Sequence, residues 1–119
     1  MKDETRFSIF KKECDKWLKL YGLHNWCVKY NTINDDTNSG LCQYDLINRI
    51  AVISLNIANS EKDVDPKLIA FHEVTELLFA RIRYLATERY VQPEEINDAL
   101  HECIRILENT LFKATPKSQ

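Results

Sequence analysis

Apolar residues recur every three or four positions at both ends of this chain and alternate with polar ones in its middle. Phe7, Phe10, Cys14, Trp17, Leu18 and Tyr21 fall on one side of a helix predicted from Thr5 to Tyr21, with Lys11, Lys12, Lys16 and Lys19 on the other and Gly22 as its stop. Trp26, Val28 and Tyr30 then alternate with Cys27, Lys29 and Asn31, which predicts a strand reaching about Ile33. The polar run Asn34 to Gly40 reads as a loop. Leu41 to Asp45 and Ile50 to Asn56 read as two further strands joined by a turn at Ile47-Asn48-Arg49. A second loop, Asn59 to Asp65, leads into a helix opened by Pro66, capped by Asp65 and running to about Thr87. The next begins after Gln92 with Pro93-Glu94-Glu95, an acidic first turn that suits the helix dipole, and extends to Phe112. Lys113 to Gln119 reads as a frayed tail. The expected fold is α+β: an N-terminal helix, a small three-stranded antiparallel sheet, then two long packed helices covering one sheet face.

Composition narrows this picture without redirecting it. A chain of 119 residues has room for one domain, 1–119, with a modest core. Its net charge of −2 gives no basic surface for nucleic acid, and the lysines of the first helix are an ordinary solvated face. No apolar run is long enough to cross a bilayer, and no signal-peptide core follows Met1-Lys2-Asp3-Glu4, so a soluble, cytoplasmic protein is expected. The four cysteines, Cys14, Cys27, Cys42 and Cys103, form no C-x-x-C pair and are expected to be free thiols.

The chemistry lies in the string His72-Glu73-Val74-Thr75-Glu76, set in an apolar stretch from Leu68 to Leu85. Residues four apart on a helix share a face, so His72 and Glu76, both good zinc ligands, aim at one spot. Glu73 lies about a hundred degrees round the helix, placed to take a proton from whatever the metal holds. A histidine and two glutamates are costly to bury without partners. The plainer alternative is a hydrogen-bonded His72–Glu76 pair on a half-exposed stripe, with Arg83 further along it.

A zinc site needs a third protein ligand. Of the three histidines, His24 precedes the first strand and reads as a loop residue. His101 falls at the border of the apolar face formed by Ile96, Ala99, Leu100, Cys103, Ile104, Ile106, Leu107 and Leu111, whereas Glu102 points away from it. A short loop between antiparallel helices would bring His101 beside the His72–Glu76 turn, with Glu108 two turns beyond as a supporting acceptor or a solvated residue.

His72-Glu73-Val74-Thr75-Glu76-Leu77-Leu78, followed by His101 in a helix ending Ile104-Arg105-Ile106-Leu107-Glu108-Asn109, resembles small phage-encoded proteins related to minimal gluzincin and SprT-like zinc metallopeptidase domains. The lead-in, a hairpin from Leu41 to Leu55 and then Leu68-Ile69-Ala70-Phe71, fits as well, and the resemblance spans about Trp26 to Phe112. Those families carry HExxH with a glutamate as third ligand. Here Glu76 stands at the second ligand position and His101 on the following helix, so the two ligand types are exchanged. The resemblance implies one zinc per chain on His72, Glu76 and His101, with Glu73 as general base in peptide hydrolysis by metal-activated water. It also implies a host-cytoplasmic location if the chain is phage-encoded, and a peptide bound along an exposed sheet edge, Ile50 to Leu55 or Leu41 to Asp45. Tyr84, Tyr90, Arg81 and Arg83 are all available to stabilise an oxyanion. The alternative is a catalytically inactive zincin-like binding module, with structural metal or none, docking onto a protein partner.

Overall fold

The computed structural model describes residues 2–58 and 61–112; the tail expected at Lys113 to Gln119 and the first two residues of the loop expected at Asn59 to Asp65 lie outside them. The order is α1 (Asp3–Leu20), β1 (Cys27–Ile33), β2 (Gly40–Asp45), β3 (Ile50–Asn56), α2 (Pro66–Leu78), α3 (Ala80–Thr87) and α4 (Pro93–Leu107), the last running into a π turn at Glu108–Phe112. The fold is α+β, with four helices and one sheet among the described residues.

Gly22 stops α1 as its position suggests. It takes φ +68° and donates to the Lys19 carbonyl at 3.1 Å, while Leu23 donates to Leu18 at 2.9 Å, the paired bonds of a Schellman cap. Asp65 caps α2 by accepting from the Lys67 amide at 2.9 Å, with Pro66 at the first helical position.

The sheet departs from expectation. It is mixed, in the order β1-β3-β2: β1 runs parallel to β3, and β2 pairs antiparallel to β3 on the other side. The two loops explain the order. Asp45 accepts from the amides of Ile47 and Asn48 at 3.1 and 3.2 Å and folds a tight turn, with Arg49 at φ +56°, that makes β2 and β3 neighbours. Asn34 to Ser39 instead spans two strand spacings, roughly 10 Å, which leaves a gap between β1 and β2 for β3. Asn56, fully buried at the end of β3, fills the arch of that loop. Its side chain accepts from the Asp35 and Ala58 amides at 3.3 and 2.9 Å and donates to the carbonyls of Asp35, at 2.6 Å, and Asn38.

Ala51, Ile53 and Leu55 of β3 alternate toward the helices and meet Phe10 and Cys14 of α1 and Ile69, Ala70, Val74 and Leu77 of α2 in one core. Tyr30 of β1 reaches the same layer and donates to Asp15 of α1. Arg6, buried on α1, donates to the Lys62 carbonyl in the loop before α2.

The helix expected from Pro66 to Thr87 breaks at Phe79, whose φ of −94° and ψ of 9° separate α2 from α3. No glycine or proline marks the break. One turn earlier, the Thr75 hydroxyl bonds back to the Phe71 carbonyl at 2.7 Å, an interaction that loosens and bends helices. The helix expected to reach Phe112 keeps α geometry to Leu107 and then widens into the π turn.

A candidate metal centre on α2

The α2 face turned toward β2 carries Ile69, His72, Glu73 and Glu76. With Thr37 to Cys42 opposite, and Val64, Leu68 and Arg83 at the ends, they line a cleft of about 640 Å³. One donor atom from each of His72, Glu73 and Glu76 lies within 4.8 Å of the other two. His72 Nε2 stands 3.5 Å from Glu76 Oε2, and Arg83 Nη1 stands 3.9 Å from the other Glu76 oxygen. The imidazole and the guanidinium are open to water, with side chains 71% and 70% exposed.

Glu73 differs from both. It is only 3% exposed, held between the cleft and the core. Burial pushes its carboxyl up to about 8, helped by the hydrogen bond and the charge of Glu76. Among the described residues its polar partner is thus another carboxylate, and the one arginine or lysine lining the cleft, Arg83, sits beside Glu76 instead. Near neutral pH Glu73 is therefore held mostly protonated against Glu76, and a divalent cation in the cleft would instead favour the ionised pair. The imidazole of His72 and the carboxylate of Glu76 are also donors that zinc accepts. On both counts the residues fit a bound zinc ion.

Gly40 sets how closely β2 and α2 approach. A Cβ there would lie 2.6 Å from Ile69 Cγ2 and 3.1 Å from both Glu73 Cγ and the Ser54 carbonyl. Cys42, two residues along, points to the same side of the strand and lines the same cleft. The alternation Gly40, Cys42, Tyr44 was present in the sequence, but only the packing of α2 on β2 gives it meaning.

His72, Glu73 and Glu76 are therefore brought together; His101 does not join them. It is exposed on α4 and stands outside the group of donor atoms. The reason is the rotation of α4. Its buried positions are Ala99 and Cys103, and Cys103 Sγ donates to the Leu78 carbonyl at 3.4 Å. A residue midway between two such positions lies on the opposite side of the helix. Leu100 and Ile104, expected in the core, are exposed for the same reason, and Glu102 turns inward to bond Arg81 at 3.0 Å. Glu108 is exposed at the start of the π turn.

Of the groups considered for oxyanion binding, Arg83 lines the cleft. Arg81 is engaged by Glu102, and Tyr84 and Tyr90 are exposed residues that do not line it. The sheet order also decides between the two proposed edges. Among the described residues β3 is central and paired on both sides, whereas β2 is an edge strand bordering the cleft. No helix among the described residues is long and apolar enough to cross a membrane. Comparison of the chain with protein-family models, with curated proteins and with solved structures gives no match, so the geometry of this cleft carries the functional argument.

Proposed function

We propose that the protein is a zinc-dependent peptidase whose cleft between α2 and the edge strand β2 holds both the metal and the substrate. The observation that carries this reading is the convergence of His72, Glu73 and Glu76 within 4.8 Å beside an unpaired strand edge. His72 and Glu76 would hold the ion, whose chemistry is to polarise a carbonyl and make water acidic enough to attack near neutral pH. Glu73 is the general base: the charge of the bound ion would hold its buried carboxyl ionised, ready to take a proton from the attacking water and return it to the leaving amine. Arg83, at the mouth of the cleft, offers a guanidinium to the developing negative charge. The backbone of β2 orients an extended peptide by pairing along its free edge, and Leu41, Leu68 and Val64 give apolar contacts to its side chains.

Purified protein is expected to contain about one zinc per chain by elemental analysis, and His72→Ala to lose it; retention in that variant would remove the ligand assignment. Glu73→Gln should keep the metal and lower peptide cleavage by about 10²–10⁴-fold, the usual contribution of a general base. Undiminished turnover would rule out its role.

The second reading is a binding module without catalysis. It draws on an apolar depression on the other flank of His72, formed by Leu68, Phe71 and Phe79, all of them exposed. On that reading, whether the site holds a structural metal or none, no peptide in a broad library is cleaved.

A further inference from the structure

We propose that Cys42 supplies the third protein ligand of the α2 metal site, so that the ion is held by one imidazole, one carboxylate and one thiolate drawn from both walls of the cleft. This inference rests on the metal reading above and replaces His101 in it.

Two observations converge on Cys42. It lies on the face of β2 turned toward α2, two residues from Gly40, and at Gly40 strand and helix approach so closely that a methyl group would touch Glu73. It lines the cleft that His72, Glu73 and Glu76 line from the opposite wall, and no other cysteine lines it. Beside them the Glu73 carboxyl is buried, 3% exposed, and a cation at this spot would stabilise its ionised form.

The sulfur stands outside the 4.8 Å group formed by the α2 donors. A side chain on a strand can change its χ1 rotamer while the backbone stays fixed, and that rotation swings Sγ toward or away from the helix. On coordination the thiol gives its proton to solvent and the sulfur donates a lone pair to the ion. The neutral thiol of the free protein becomes a thiolate balanced by the dication. A thiolate also biases the site toward zinc and other softer ions and away from magnesium or calcium.

The test uses Co²⁺ as an optical substitute for zinc, added to the full-length reduced chain. Binding should produce a near-ultraviolet thiolate-to-cobalt charge-transfer band at one equivalent. Cys42→Ser should abolish the band and weaken Co²⁺ binding by about tenfold or more, a loss at least as large as outer partners of metal sites produce. Cys27→Ser should change neither. The band is read in the unaltered protein first, so a poorly folded variant does not blunt the result. Stoichiometric Co²⁺ binding that depends on His72 but shows no thiolate band would overturn the role of Cys42 and leave the metal reading standing. A band that survives Cys42→Ser would overturn it too. No Co²⁺ binding at all would remove both.

Discussion

Burial separates the two glutamates of the α2 motif more sharply than their spacing does. Glu76 is half-buried beside Arg83 and His72, whereas Glu73 is closed in between helix and strand. The same contrast runs through the cysteines, all of them free. Cys27 is exposed on β1; Cys14 and Cys103 are buried; Cys42 is half-buried, its thiol pushed up to about 12 chiefly by burial. Because the thiolate is the reactive form, iodoacetamide at neutral pH should modify Cys27 first, and mass spectrometry of the native protein should show about one fast site per chain. Zinc should slow Cys42 further and leave Cys27 unchanged. Fast alkylation of Cys42 in the native protein would contradict its placement. The pairing of His72 with Glu76 was legible in the sequence because an i,i+4 relation is local to one helix. The place of His101 was not. It depends on which of two overlapping stripes on α4 is buried, and the small residues Ala99 and Cys103 win over the bulkier Leu100 and Ile104. Periodicity alone accommodates either choice.

Among the elements, the contact between β2 and α2 matters most to the site, and Gly40 sits at its closest point. Gly40→Ala places a methyl 2.6 Å from Ile69 Cγ2, so the Ile69 side chain, the helix or the strand must shift. Overpacking of this kind costs roughly 1–3 kcal/mol. In a thermal melt of a domain of this size that is a drop of several degrees. Ile69 is buried, so Ile69→Ala alone costs about 2–5 kcal/mol, but combined with Gly40→Ala the loss should be less than the sum of the two because the tightest contact is gone. The added methyl still lies 3.1 Å from Glu73 Cγ, so peptide cleavage should stay impaired. Fully additive losses with normal cleavage would mean that the close approach at Gly40 does not matter to the site. Both the start and the cap of α2 could be read from Asp65 and Pro66, since capping chemistry is written in a few adjacent residues. The break at Phe79 could not, because it carries neither glycine nor proline.

At the scale of the whole molecule, the sheet order is the main feature that local patterning left open. Alternation marks the strands but is silent on their neighbours, and the decisive residue, Asn56, acts through a loop some twenty positions earlier. The order has a kinetic signature. β2 and β3 meet through a short turn, while β1 must pair in parallel with a strand beyond it in sequence, at a greater loop-closure cost. Asp45→Ala, which removes the turn bonds, should therefore slow refolding. Val28→Ala on β1 should mainly speed unfolding, with a loss of roughly 1–2 kcal/mol. Stopped-flow denaturant jumps would separate the two effects, and the opposite assignment would mean that β1 docks before the hairpin closes.

The placement of β3 between its two predecessors also bears on synthesis. A nascent polypeptide that has emerged only as far as Arg49 holds two strand-forming segments separated by the space their future partner will occupy. Val28, Tyr30 and Tyr44 lack the Ala51, Ile53 and Leu55 part of the core they pack against until that partner leaves the ribosome. Crowded translation is accordingly the stage at which this protein is most exposed to pairing with another copy of itself.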